Sequence, residues 1–344
     1  MNLDSVLTLV EFIAGLVVLI ILHEFGHFLA ARFLNVEVEE FGIGFPPRIT
    51  KLFEAWGTEF TLNWIPLGGF VRPKGENDPE VPGGLASATP WVRLTVLAAG
   101  SLVNIFIGVI LAILLFYSWG DPIEEKVLIQ QVAPASPAEM AGLQAEDLIL
   151  AVNGQAIDGV TRLQELINAN LGKTVEVTFQ RGEEQATVAL TPRAEPPPNE
   201  GPTGIMLGNP TEPIGWGAAI SRGVEAVYQQ VRGILLLPVR LIQGTAEPEE
   251  GRLVGYKGLY DIYSQIRSPL WFFMVISISL GVLNLFPIPA LDGGRILLIL
   301  PEIIFRRRIP PHYENMIHLV GFTLLLILII FINVQDFINP VQLP

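Results

Sequence analysis

The chain carries the run His23-Glu24-Phe25-Gly26-His27. On a helix, residues i and i+4 share a face, so His23 and His27 can offer two imidazole nitrogens to one cation. Glu24, beside the first of them, is placed to take a proton from a water held by that cation. The run is flanked by Leu16–Leu22 and Phe28–Ala31, all apolar. Two histidines and a glutamate at bilayer depth are costly, and such residues mark function. The competing reading is a chance match on a helix.

A catalytic zinc takes three protein ligands and leaves a position for water. The chain has no cysteine, so the third ligand must be His, Asp or Glu. That absence also excludes disulfides, iron–sulfur clusters and thiolate catalysis. The candidates are Asp292, Glu302, His312 and His318. Asp292 lies in Asn284-Leu-Phe-Pro287-Ile-Pro289-Ala-Leu-Asp292-Gly293-Gly294, inside an apolar stretch. Two prolines and a glycine pair break helical hydrogen bonding there, which is tolerated only where backbone is buried in protein or lines a cavity. His312 and His318 lack that context. Asp292 is therefore the preferred ligand, against the alternative of a helix-end aspartate at the water interface.

These residues must be positioned by membrane elements. Half of the 344 residues are hydrophobic and 16% are charged, against about 25% in a typical soluble protein. Four apolar stretches are long enough to span a bilayer: residues 6–33, 93–119, 270–300 and 316–338. The first is read as a retained membrane helix, since no basic residue precedes Arg32 and no cleavage site follows a short core. Arg48, Lys51, Arg72, Lys74 and Arg93 in one loop, and Arg306-Arg307-Arg308 in another, place both loops in the cytoplasm by the positive-inside rule. The net charge of −13 argues against nucleic acid as a partner.

The loop 36–90 predicts a small β-sheet at the membrane face. Phe41–Phe45 and Thr58–Ile65 read as short strands, with Pro66-Leu67-Gly68-Gly69-Phe70 as the turn. The sheet's edge could hold an extended substrate, with Gly68 and Gly69 among the contacts. Pro73 to Gly84 reads as a flexible tip. Residues 213–244 have apolar side chains at helical spacing, as in a helix lying on the membrane or packing between elements.

Residues 127–208 predict a separate α+β domain. Ser136 caps a short helix with Glu139 three residues on, Asn153-Gly154 ends a strand, and 161–170 is an amphipathic helix. The stretch SPAEMAGLQAEDLILAVNGQAI resembles the circularly permuted PDZ domains of bacteria. That resemblance implies binding of an extended peptide or C-terminus by strand addition. Gly204, Ile205 and Met206, after the proline-rich linker 192–202, are placed beside the groove.

HEFGH in the first apolar stretch and NLFPIPALDGG in the third resemble the site-2 protease family of intramembrane zinc metalloproteases. One inserted PDZ-like domain resembles its regulator-of-sigma-E protease branch. The resemblance covers nearly the whole chain, and Ala99-Gly100-Ser101-Leu102-Val103-Asn104 matches too, with Ser101 where the family has proline. A Ser-Gly-Pro motif of the family is missing near Leu253–Tyr256. The resemblance implies one Zn2+ per chain on His23, His27 and Asp292, Glu24 as general acid/base, and Asn284, Pro287 and Pro289 gripping an unwound substrate. It implies single-span membrane proteins as substrates and the lipid bilayer as environment.

The expected fold is thus a polytopic α-helical membrane protein with about four transmembrane helices, a cytoplasmic-side β-sheet or hairpin and an inserted extracytoplasmic PDZ-like domain. Its expected parts are 1–120, 121–210, 211–268 and 269–344. The expected location is the inner (plasma) membrane, with the active site toward the cytoplasm. The rival functions are a membrane-anchored PDZ peptide binder with an inactive metal site, and a metal transporter.

Overall fold

The computed structural model describes residues 3–197, 200–246, 250–266 and 268–341. Residues 198 and 199 of the proline-rich linker and the last three residues lie outside the described residues. The chain divides into two units, Met1–Leu114 with Ser221–Val341, and Leu115–Ile220.

Helix α1 (Leu3–Phe33) opens the first unit. Its 31 residues reach about 46 Å, more than a hydrocarbon core of ~30 Å requires. Asp4 in its first turn and Arg32 in its last suit the helix dipole. Strands β1 (Val38–Ala55) and β2 (Thr58–Pro73) follow. They turn at Trp56-Gly57, both left-handed with φ of 53° and 76°, as a two-residue hairpin demands. This corrects the expected turn at Pro66–Phe70, which instead lies inside β2. The strands are longer than the sequence suggested because they fold back on themselves. Gly42 pairs with Thr61 on one side and Phe70 on the other.

The sheet is held to α1 by an aromatic cluster. Phe28 of α1 meets Phe41 at 5.9 Å and Phe60 at 5.6 Å, and Phe60 stacks on Phe53 at 4.5 Å. Such pairs add about 0.5–1.5 kcal/mol each beyond area burial. The segment after β2, expected to be a flexible tip, is a closed loop. Lys74 N–H donates to Glu37 O at 2.8 Å and Leu85 N–H to Lys74 O at 2.9 Å. Helix α2 (Pro90–Trp119) comes next.

The second unit contains β3 (Asp121–Pro122), β4 (Val127–Val132), α3 (Pro137–Met140), β5 (Leu148–Val152) and β6 (Gln155–Ala156). It continues with α4 (Val160–Asn168), β7 (Val175–Arg181), β8 (Glu184–Leu190), β9 (Ile205–Gly208) and β10 (Thr211–Glu212). Its main sheet runs β8-β7-β5-β4-β9, with β6 beside β5. Alternate residues of β7 point inward, and Val127, Ile129, Val152, Leu163, Val175 and Val177 form the core. Ser136 Oγ caps α3 by accepting from Glu139 N–H at 3.2 Å. The Glu139 carboxylate reaches past the cap to Ala135 N–H at 2.6 Å. Asn153 and Gly154, with φ of 50° and 73°, make the tight turn between β5 and β6.

The chain returns through α5 (Trp216–Gln243), α6 (Tyr256–Gln265), α7 (Pro269–Asn284), α8 (Asp292–Phe305) and α9 (Pro311–Ile338). In α5 Val227 is buried, whereas Ile220, Val224, Tyr228 and Leu235 are exposed. Asp336 of α9 secures the start of α6, accepting from Gly255 N–H at 2.7 Å and Gly258 N–H at 3.1 Å. The third apolar stretch, expected as one span, is two helices of 16 and 14 residues joined by 285–291. Pro287 and Pro289 remove two donors, and Ala290 sits at φ 80°. Three helices, α1, α2 and α9, are long and apolar enough to cross a membrane, among the described residues.

Candidate metal centre

One turn of α1 separates His23 from His27, and both imidazoles are buried. Their Nε2 atoms face each other at 3.1 Å. Helix α8 begins with Asp292, whose Oδ2 lies 3.2 Å from His23 Nε2 and 3.3 Å from His27 Nε2. That oxygen, although near two nitrogens, makes no well-aligned hydrogen bond among the described residues. Three ligand atoms ~2.0–2.1 Å from a tetrahedral zinc lie about 3.3 Å apart. The observed triangle has that size, and its donors, two imidazoles and a carboxylate, are those zinc accepts. The residues fit the metal.

His27 Nδ1 lies 2.8 Å from Val96 O of α2. A carbonyl only accepts, so Nδ1 carries the proton and Nε2 keeps its lone pair for a cation. The approach of α2 depends on small residues. A Cβ on Gly100 would stand 2.4 Å from His27 Nε2, and one on Gly26 would stand 2.7 Å from Ala99 O. Glycines also place Asp292. A Cβ on Gly293 would lie 2.2 Å from Leu285 O, and one on Gly294 would lie 2.3 Å from Ile288 O. The connector 285–291 is thus folded tightly over the start of α8.

Glu24 Oε2 accepts from Val71 N–H of β2 at 3.1 Å. Gly69 leaves room for this contact, since its Cβ position is only 3.3 Å from Glu24 Cγ. His23, Glu24, His27, Gly68, Gly69, Asn284 and Asp292 line one cavity of about 650 Å³. Asn104 of α2, Tyr256 of α6 and Arg295 of α8 line it as well. Arg295 pairs with Glu76.

The other candidates stand elsewhere. Pro287 is not among the residues that line this cavity, and Pro289 lines an apolar groove against α9. Glu302 is paired with Arg93 at 2.7 Å, His318 Nδ1 accepts from Ala290 N–H at 3.3 Å, and the His312 ring lies against Tyr313. In the second unit, Ile205 and Met206 belong to β9, an edge strand paired, among the described residues, only with β4, and Gly204 precedes it at φ 71°. The contributions of Val96 O and Val71 N–H are backbone groups that no side-chain motif announces. Asn104 was signalled by a lone carboxamide in an otherwise apolar run of α2.

Membrane helices holding an HExxH pair against an aspartate from a broken element define a membrane protein with a metallopeptidase-type centre. The profile described as Peptidase family M50 matches residues 11–328. The chain belongs to that family, the site-2 proteases. It is similar to zinc metalloprotease RasP of Oceanobacillus iheyensis, 28% identical over 425 residues, covering 96% of this chain and 98% of that one. It is also similar to the chloroplastic membrane metalloprotease ARASP of Arabidopsis thaliana, 30% identical over 370 residues, covering 97% and 80%. Among solved structures, the PDZ domain of the SdrC-like protein of Listeria monocytogenes matches 24% of this chain and 87% of that one. The identity there is 24% and the TM-score 0.22, too low to bear on the fold.

Proposed function

We propose that the protein is an intramembrane zinc metalloprotease, which hydrolyses peptide bonds inside the transmembrane segments of single-span membrane proteins. The observation that carries this reading is the triangle of His23 Nε2, His27 Nε2 and Asp292 Oδ2, with edges of 3.1–3.3 Å, beside Glu24 in a cavity bounded by apolar helices.

His23, His27 and Asp292 would hold the zinc ion. When bound, zinc supplies Lewis-acid polarisation of a carbonyl and acidifies water. Glu24 is the base that takes a proton from the attacking water and returns it to the departing amide nitrogen. The Val71 N–H bond fixes one of its oxygens and leaves the other to move the proton. The β2 run through Gly68 and Gly69 pairs with β1 on one side only and faces the cavity on the other. An extended peptide can add to that edge through backbone hydrogen bonds. A transmembrane helix hides its own N–H and C=O groups, so the substrate must unwind before it reaches this edge. Asn284, at the last turn of α7, is placed to hold the freed backbone.

The chain crosses the inner membrane about four times, with the pair α7 and α8 serving as one crossing. The basic residues of the sheet loop and of Arg306–Arg308 put the metal side in the cytoplasm. The PDZ-like unit then lies outside. Its exposed β9 edge suits a peptide C-terminus, and its bulk suits a filter against untrimmed ectodomains.

Glu24→Gln should retain zinc and lose cleavage of a single-span substrate by about 10²–10⁴-fold. Full cleavage by that variant would remove Glu24 from the reaction.

A further inference from the structure

Asn104 stands in the apolar body of α2 with no exposed surface. Neither its Oδ1 nor its Nδ2 has a hydrogen-bond partner among the described residues. Buried polar atoms are normally paired, and each orphan calls for a reason. The reason here is location, because Asn104 lines the cavity that holds His23, Glu24, His27 and Asp292. Gly100, which abuts His27, is four residues earlier, so the two share one face of α2. Residue 104 therefore sits about one turn, ~6 Å, along the helix from the imidazole contact.

The surrounding packing holds Asn104 still. Ser277 of α7 donates to the Asn104 carbonyl at 2.8 Å. Gly281 packs on the Ser101 carbonyl and Gly108 on Ile278, so α2 and α7 meet closely on both sides of this residue. The backbone is bonded across the helix interface, while the side chain is left unpaired in the wall of the cavity.

We infer that Asn104 is a substrate-binding residue, whose carboxamide pairs with the backbone N–H and C=O of the unwound stretch of a substrate helix. A carboxamide carries one acceptor oxygen and a donor NH2, the complement of a peptide group. It is indifferent to substrate side chains, as a site for unwound backbone must be. An intact helix offers it nothing, so Asn104 favours substrates with a weak point in their helix. This rests on the peptidase reading above, with Asn104 acting from α2 and Asn284 from α7.

The test is binding in a Glu24→Gln background, with and without Asn104→Leu. The probes are two fluorescent 20-residue leucine/alanine peptides in nanodiscs, one with a central Gly-Pro pair and one without. Asn104→Leu should weaken binding of the broken peptide by about tenfold or more, the loss of one to two hydrogen bonds. It should leave the unbroken peptide unchanged, zinc content unchanged and the melting temperature no lower, since an orphaned amide is removed. Asn104→Ala, which cannot crowd α7, should give the same ratio. Equal loss for both peptides, no loss for either, no binding at all, or lost zinc with a lowered melting temperature would each overturn the inference. Wild-type protein that cleaves neither peptide, while binding still depends on Asn104, would count against the peptidase reading alone.

Discussion

The two halves of the proposed metal triad are built by opposite means. His23 and His27 lie on one unbroken helix of 31 residues, where helical spacing puts them on one face with their nitrogens 3.1 Å apart. Asp292 is the first residue of a 14-residue helix, reached through two prolines and a left-handed alanine. Local geometry makes the first half, and tertiary packing makes the second. The glycines at 293 and 294 and the His318 contact to Ala290 hold a connector that would otherwise have no reason to keep its shape. Strain of this kind persists only where surrounding structure over-determines it.

That contrast can be broken most sharply at the ligands. His23→Ala removes one member of the rigid pair, and Asp292→Ala leaves the pair intact. Both should abolish stoichiometric zinc, but Asp292→Ala should retain weak, exchangeable binding by the two remaining imidazoles. Zinc content before and after dialysis checks this, and equal retention by both variants would erase the distinction. A step smaller, Gly293→Ala changes no ligand but puts a Cβ 2.2 Å from Leu285 O. Zinc affinity should fall by about 10–100-fold, as when groups that orient metal ligands are altered. Unchanged affinity would mean that the connector does not position Asp292.

Leu163→Ala, in the core of the second unit, should destabilise that unit by about 2–5 kcal/mol. Zinc content should not change, because every proposed ligand lies in the other unit. Calorimetry with metal analysis on the same sample decides it. The smallest effect is expected at the hairpin of β1 and β2. Hydrogen bonds from Lys51, and then from Arg48, hold the Glu59 carboxyl below the usual carboxylate range. A depressed carboxylate contributes stability above its ordinary pKa and loses it as pH falls through the depressed value. Glu59→Gln should therefore lower stability slightly at neutral pH and leave it unchanged at acid pH, flattening the acid limb; denaturant unfolding across the pH range checks this, and an equal loss at acid pH would contradict it.

The same contrast governs what could be read from sequence. His23, Glu24 and His27 were legible because their relation needs only one helix. The broken context of Asp292 was legible from Pro287, Pro289 and the glycine pair. The division of that stretch into two helices was harder, since α7 and α8 share one continuous apolar composition. The hairpin turn was misplaced because Pro66-Leu67-Gly68-Gly69 has turn composition. In the structure Gly68 serves instead to let β2 bend past Phe45, whose ring lies 2.2 Å from the Cβ position. The roles of Val96 O and Val71 N–H come from backbone brought together by packing, which no residue type encodes. In the second unit, period-two alternation and the Asn153-Gly154 turn made the strands visible, because one face of that sheet meets its core.

In the proposed site two helices meet around a single cation. Zinc K-edge absorption on the purified protein tests it most directly, beside Asp292→Ala prepared identically. The expected result is one zinc per chain, with two imidazoles among light-atom ligands at ~2.0–2.1 Å, and a changed, largely depleted signal in the variant. Metal-free protein that still cleaves a membrane substrate, or an Asp292→Ala spectrum identical to wild type, would contradict it.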